Sequence, residues 1–279
     1  MTWRESGPTR ERKKEDVMQG VAEIAGWVGL GSLPAFIAWD LVKPSRRFET
    51  PRFWRLRAAV VTVVTFYVAL YAGEAWGSVL GERSLVNGAA LGTWGGAAAG
   101  ILLYELAHYW YHRAAHKMDW LWRAAHQMHH SAESVEAIGA NYLHPVDTVM
   151  FTTIAVLAFF PVLGLNPEAG AIAAAFLAFN AAFQHANMRT PRWLGYIIQR
   201  PESHCVHHER DLHAYNYSDL SLWDIIFGTF RNPEIWEGEV GFYDGASSRI
   251  GEMLIGRDVS RSPVQQAEPM EATALPKVA

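Results

Sequence analysis

Residues 126–130 read HQMHH and residues 204–208 read HCVHH, so one His-x-x-His-His spacing occurs twice. Positions i, i+3 and i+4 share a face of a helix, and each triplet then presents three imidazoles to one side. A third stretch, YELAHYWYHRAAHKM, places His108, His112 and His116 at i, i+4 and i+8. Imidazole is the commonest protein ligand for a metal ion, and pairs three or four residues apart can hold one ion from a single helix. His112, His116, His126, His129, His130, His204, His207 and His208 make eight imidazoles from three pieces of chain. A tetrahedral ion takes about four protein ligands, so this number points to two ions. One isolated histidine at a membrane surface is ordinarily a satisfied polar residue, but two identical triplets and a pair are not a chance arrangement. All-nitrogen ligation suits zinc, copper, iron or nickel, and spacing does not choose among them. A hydrolytic zinc helix carries an acidic base inside its motif, as in His-Glu-x-x-His, and neither triplet has one.

Such residues need elements to position them, and those elements read as membrane helices. Four apolar segments, residues 58–80, 88–107, 147–165 and 168–183, approach the roughly 20 residues that cross a bilayer. Short turns, GERSLVN and NP, join them in pairs, which predicts two antiparallel hairpins. Segments two and four are rich in Gly and Ala, which suits close helix contact in lipid. The second segment runs without a breaker into the first histidines, so its end should stand outside the hydrocarbon. Residues 43–57 carry six Lys or Arg and are expected on the cytosolic side, with both turns outside and every histidine motif returned to the cytosol. The expected class is all-α: an integral membrane protein of two transmembrane helical hairpins carrying a cytosolic helical histidine-box cap. The bacterial cytoplasmic membrane is the expected location.

The remaining chain divides around that unit. Residues 1–55 read as a polar arm followed by an ambiguous apolar stretch, 17–42. Its Gly26, Gly29, Gly31 and Pro34 are expected to break a straight helix, and both flanks are basic, so a re-entrant or interfacial element is favoured over a crossing. Residues 56–250 form the catalytic unit. Residues 251–279, polar and aperiodic after Arg257, are expected to be disordered. The first 16 residues are polar and do not read as a secretory signal.

Composition agrees. Charged residues make up 19%, below the roughly 25% of soluble domains, which favours a lipid setting. The net charge of −4 is too small to imply a charged partner, and nothing resembles a nucleic-acid surface. Cys205, the single cysteine, excludes an internal disulfide framework and a Cys-ligated cluster, and reads as a small buried hydrophobe. All 12 histidines lie between His108 and His213.

The run YELAHYWYHRAAH…LWRAAHQMHHSAE…NYLHPVD…FQHANMRTPRWLGYIIQRPESHCVHHERDLHAYNYSDLSLWDIIFGTFRNP resembles the fatty acid hydroxylase superfamily, also called the sterol desaturase family. HRAAH, HQMHH and HCVHH carry the likeness, with LHP, QHAN and SLWDIIFGTF between and after them. The resemblance implies a helical membrane enzyme with a non-haem centre of two iron ions. Such an enzyme takes O2 as co-substrate and uses two external electrons on a C–H bond of a lipid, fatty acyl, sterol or related. The eight box histidines match the family's ligand motifs, and His185 in QHAN matches a further metal position. His144 in LHP, His108, Glu105 and Asn216 are candidates for ligands or for neighbours that hold a ligand. His108 stands where an aromatic residue is expected. Glu105, Asp211 and Asp224 could accept from an imidazole's other ring nitrogen. His213 reads as structural, and the aromatic runs YWY and DWLW read as interfacial anchors.

The leading expectation is a lipid monooxygenase, an oxidoreductase that draws its lipid substrate from the bilayer. No flavin, haem or nicotinamide motif occurs in the sequence, so electrons come from a separate donor protein or reductant. Desaturation by the same centre is a close variant, and cleavage of an ether lipid a more distant one. A zinc-dependent membrane hydrolase and a metal transporter are the competing classes. A transporter should carry ionisable groups within its crossing segments, where this chain has little beyond Glu74.

Overall fold

A computed structural model describes residues 10–81 and 83–263. Among them there are helices and two isolated bridges, Ile198 with Leu220 and Glu209 with Val240, but no strand. Five long helices build the frame: α1 (Arg10–Val42), α2 (Trp54–Val79), α3 (Gly92–Lys117), α6 (Pro145–Leu157) and α7 (Pro167–Gln184). Shorter helices follow α3 and α7: α4 (Asp119–Leu121), α5 (Gln127–His130), α8 (Pro201–His207), α9 (Ser221–Phe227) and α10 (Ile250–Leu254). Three helical stretches are long and apolar enough to cross a membrane: α1, α2 and Pro145–Val162, which extends α6 by a π turn. The Gly- and Ala-rich α3 and α7 pack against each other within the bundle, and α7 also lies against α1.

Side-chain contacts fix the helix directions. Tyr104, His108 and Tyr111 of α3 meet Phe159, Phe151 and Asp147 in turn, so α3 runs antiparallel to α6. Thr65 and Trp76 of α2 donate to the Asn141 carbonyl and the Thr153 hydroxyl, so α2 and α6 run the same way. The turns after α2 and α6 therefore share one end, where Leu85 and Val86 amides donate to the carbonyls of Pro161 and Val162. Gly164 sits there at φ +61°, and a Cβ on it would collide with Ser84. Every histidine motif gathers at the opposite end.

The apolar stretch at 17–42 departs from expectation. Gly26, Gly29, Gly31 and Pro34 do not break it; α1 continues through all four for 33 residues, about 50 Å. Packing explains this. α1 lies parallel to α7, with Phe36 against Phe179 and Phe183, and Asp40 accepts from the amides of Ala137 and Asn187. Gly29 permits the approach, since a Cβ there would lie 2.9 Å from the Ala175 Cα. Asp40, costly in lipid if unpaired, caps two backbone N–H groups instead. The two basic flanks of α1 consequently lie at opposite ends of the bundle.

The segment expected to be disordered from residue 251 is folded at its start. Met253 and Val259 are fully buried in a cluster with Trp54, Met128, Tyr142 and Phe242. The expected disorder beyond Pro263 lies outside the described residues, as do residues 1–9 of the polar arm.

Candidate metal centre

α3 delivers His112 and His116 at its last turns, both on the face that α3 turns toward the other histidine helices. A single π turn, Trp122–His126, then precedes α5, so His126 enters from a different register than His129 and His130. Such bulges recur at functional sites because they re-aim one side chain without ending the helix. His185 caps α7, and α8 with its C-cap carries His204, His207 and His208.

All nine expected metal histidines converge, but not as whole triplets. His112, His116, His126, His130 and His207 offer ring nitrogens within 4.8 Å of one another, and His129, His185, His204 and His208 form a second such group. HQMHH therefore sends two rings to the first group and one to the second, while HCVHH does the reverse. In both triplets positions i and i+4 share one group and position i+3 joins the other, as their angular spacing around a helix allows. The groups adjoin, with the His130 and His208 rings stacked at 4.2 Å.

Proton placement tests whether these residues fit metal ions. His112 Nδ1 lies 2.8 Å from the Tyr217 carbonyl, so it must carry the hydrogen and donate. His126 Nδ1 donates to the Asp147 carboxylate at 2.7 Å. Their Nε2 atoms are then both lone pairs, yet they face each other at 2.9 Å. His207 donates from Nδ1 to the Tyr215 carbonyl, leaving its Nε2 buried without a partner. In the second group His185 donates to the Ala181 carbonyl, and its Nε2 stands 2.9 Å from His204 Nε2 and 3.2 Å from His129 Nε2. Converging buried lone pairs repel unless a cation sits among them. Nitrogens about 2.1 Å from a common ion lie about 3.0 Å apart at right angles and about 3.4 Å apart in a tetrahedron. The observed spacings of 2.9–3.2 Å lie close to both, and the residues fit transition-metal ions that imidazole ligates, iron and zinc among them.

Burial keeps these rings neutral, as ligation requires. Desolvation, followed by neighbouring imidazoles, holds His130, His204 and His208 well below the ordinary histidine range. The same desolvation, with His126 next, lowers His207. His213, read from sequence as structural, instead contacts the first group, its Nδ1 3.1 Å from His130 Nδ1, and burial pushes it down to about 3.

Other candidates fall away from the two groups. His144 caps α6, accepting from the Val146 amide, with its other nitrogen toward the Leu254 carbonyl. Asn216 ties the carbonyls of Ser203 and Arg231 and accepts from the Arg231 amide, a loop brace rather than a ligand. Asp224 accepts from the amides of Tyr217 and Ser218 and fixes the loop whose carbonyls orient His112 and His207. No hydrogen bond joins Asp211 to an imidazole among the described residues; it adopts a left-handed backbone at φ +67°. Cys205 is buried, as expected. Asp147 was missed. It sits in the HPVD run after His144, where it reads as an ordinary first-turn helix acid, and only folding brings it to His126.

Residues 97–229 match the family model described as fatty acid hydroxylase. The chain is 31% identical over 137 residues to a very-long-chain aldehyde decarbonylase of Oryza sativa subsp. indica, covering 46% of this chain and 52% of that protein. It is 26% identical over 153 residues to sphinganine C4-monooxygenase 1 of Arabidopsis thaliana, 53% of this chain and 59% of that protein. It is 34% identical over 149 residues to alkylglycerol monooxygenase of Danio rerio, 51% of this chain and 31% of that protein. The chain thus spans about half the length of the first two relatives and less of the third. No solved structure matches it.

Proposed function

We propose that the chain, whose residues 97–229 match the fatty acid hydroxylase family model, is a membrane-bound di-iron monooxygenase hydroxylating a C–H bond of a lipid. The observation that carries this reading is the convergence of nine imidazoles, eight of them buried, into two adjoining groups whose ring nitrogens face one another. His112, His116, His126, His130 and His207 would hold one iron, and His129, His185, His204 and His208 the other. The pair would supply O2 activation for oxidation of an unactivated C–H bond.

The chain's own residues bind, orient and dry the site. The carbonyls of Tyr217, Tyr215 and Ala181 and the Asp147 carboxylate take Nδ1 protons and so aim four Nε2 lone pairs inward. The Tyr111 hydroxyl donates to the other Asp147 oxygen at 2.7 Å and fixes that carboxylate. Phe151 and Tyr217 pack edge-on to the rings, and eight of the nine imidazoles are buried, which excludes water from the reacting atoms. Lipid enters from the bilayer, and a separate protein or reductant supplies electrons. We place the histidine end in the cytosol, since residues 43–57 with their six Lys or Arg lie at that end. The alkylglycerol relative favours a second substrate class, an ether lipid, for the same chemistry.

Lipid profiling under ¹⁸O2, in cells expressing wild type or His129→Ala, tests the proposal. One labelled oxygen gained by a lipid only with wild type is the expected outcome. Loss of two hydrogens without label would indicate desaturation instead. No oxygen-dependent change, with zinc-supported activity, would overturn the reading.

A further inference from the structure

One turn before the first imidazole group, Glu105, His108 and Asp219 offer one donor atom each within 4.8 Å of one another. All three are more than nine-tenths buried, at 0%, 6% and 6% exposure. Glu105 Oε2 accepts from the Ser218 hydroxyl and the Asp219 and Leu220 amides, which fixes the carboxylate in place. Its Oε1 is buried with no partner, and so is His108 Nδ1. Asp219 spends one oxygen on the Gln184 amide at 3.0 Å. Among the described residues no Lys or Arg pairs with either carboxylate. The surroundings offer no water-like relief: Tyr104 stacks on His108 at 5.4 Å, Phe151 meets it edge-on at 5.1 Å, and His112 stacks at 5.3 Å.

Two carboxylates buried side by side, with the His108 ring 3.9 Å from Glu105 as their ionisable partner, are costly, and a divalent cation removes that cost most directly. We propose that Glu105 through Oε1, His108 through Nδ1, and Asp219 hold a third divalent transition-metal ion beside the two imidazole groups. One nitrogen and two carboxylate oxygens suit zinc, manganese or ferrous iron.

The test counts ions. The full chain, purified in detergent, stripped with chelator, reloaded with Zn²⁺ and desalted, is analysed by plasma mass spectrometry beside His108→Phe and Asp219→Asn. Three zinc ions in wild type and two in each variant are expected. Two in all three proteins would overturn the third ion and leave the imidazole pair standing. Two in wild type falling to one in the variants would keep this site and overturn the two-ion imidazole centre instead. No retained zinc in wild type would overturn both. Should one substitution prevent purification, the wild-type count and the other variant decide.

Discussion

At the scale of single residues, the hydrogen on each Nδ1 decides whether its imidazole can bind metal. Asp147 is the strongest such anchor, because a carboxylate fixes the His126 tautomer through a charged hydrogen bond. Asp147→Asn removes the charge and keeps the shape. We expect metal affinity to fall by about 10–100-fold in chelator competition, with little change in helix content. A second expectation concerns acid. In the metal-free protein, burial depresses His130, His204, His207, His208 and His213 below their ordinary value. An unfolded chain then binds more protons once pH drops below about 6.5, so the stability these neutral rings contribute is full above that value and lost as pH falls toward their folded values. Thermal melts of metal-free protein should decline steeply between pH 7 and 5. A flat profile there would contradict the buried neutral state.

At the scale of elements, the histidine helix α5 is held by chain far from it. The Gln127 amide donates to the Arg257 carbonyl, and its oxygen accepts from the Val259 amide. Met253 of α10 is fully buried in the same cluster as Met128. Met253→Ala should therefore cost about 2–5 kcal/mol, as other large-to-small core changes do. Leu254→Ala, next to it but 46% exposed, should cost far less. Denaturant or thermal unfolding in detergent distinguishes the two. Equal effects would mean that α10 does not brace the site. The composition of this segment conceals its role, because few apolar residues stand among polar ones and no period marks them.

At the scale of the whole molecule, the helix directions fix which parts share a side. α1, α3 and α7 run toward the histidine end, and α2 and α6 run away from it. Residue 47 and residue 85 then lie at opposite ends of the bundle, and the native Cys205 is buried out of reach of impermeant reagents. Arg47→Cys should react from the cytosolic face and Leu85→Cys, at an 84% exposed position, from the other. The reverse pattern would overturn the proposed sidedness. Reaction of both from one face would contradict the bundle itself.

The primary sequence determined the histidine clusters and the helical class with its long apolar helices, because imidazole spacing and apolar runs are local patterns with the helix period. It also marked His108 as a departure and Glu105 as a carboxylate able to accept from an imidazole. Only the tertiary structure decided which imidazole joins which group, since positions i and i+4 of each triplet meet partners from other helices that position i+3 does not. It alone brought Asp147 to His126, Asp219 to Glu105 and Val259 to Gln127, pairings across 21, 114 and 132 positions. It also carried α1 unbroken through Gly26, Gly29, Gly31 and Pro34, because contact with α7 outweighs the weak helix preference of those residues. Contacts of that range are set by how surfaces pack, which no local spacing records.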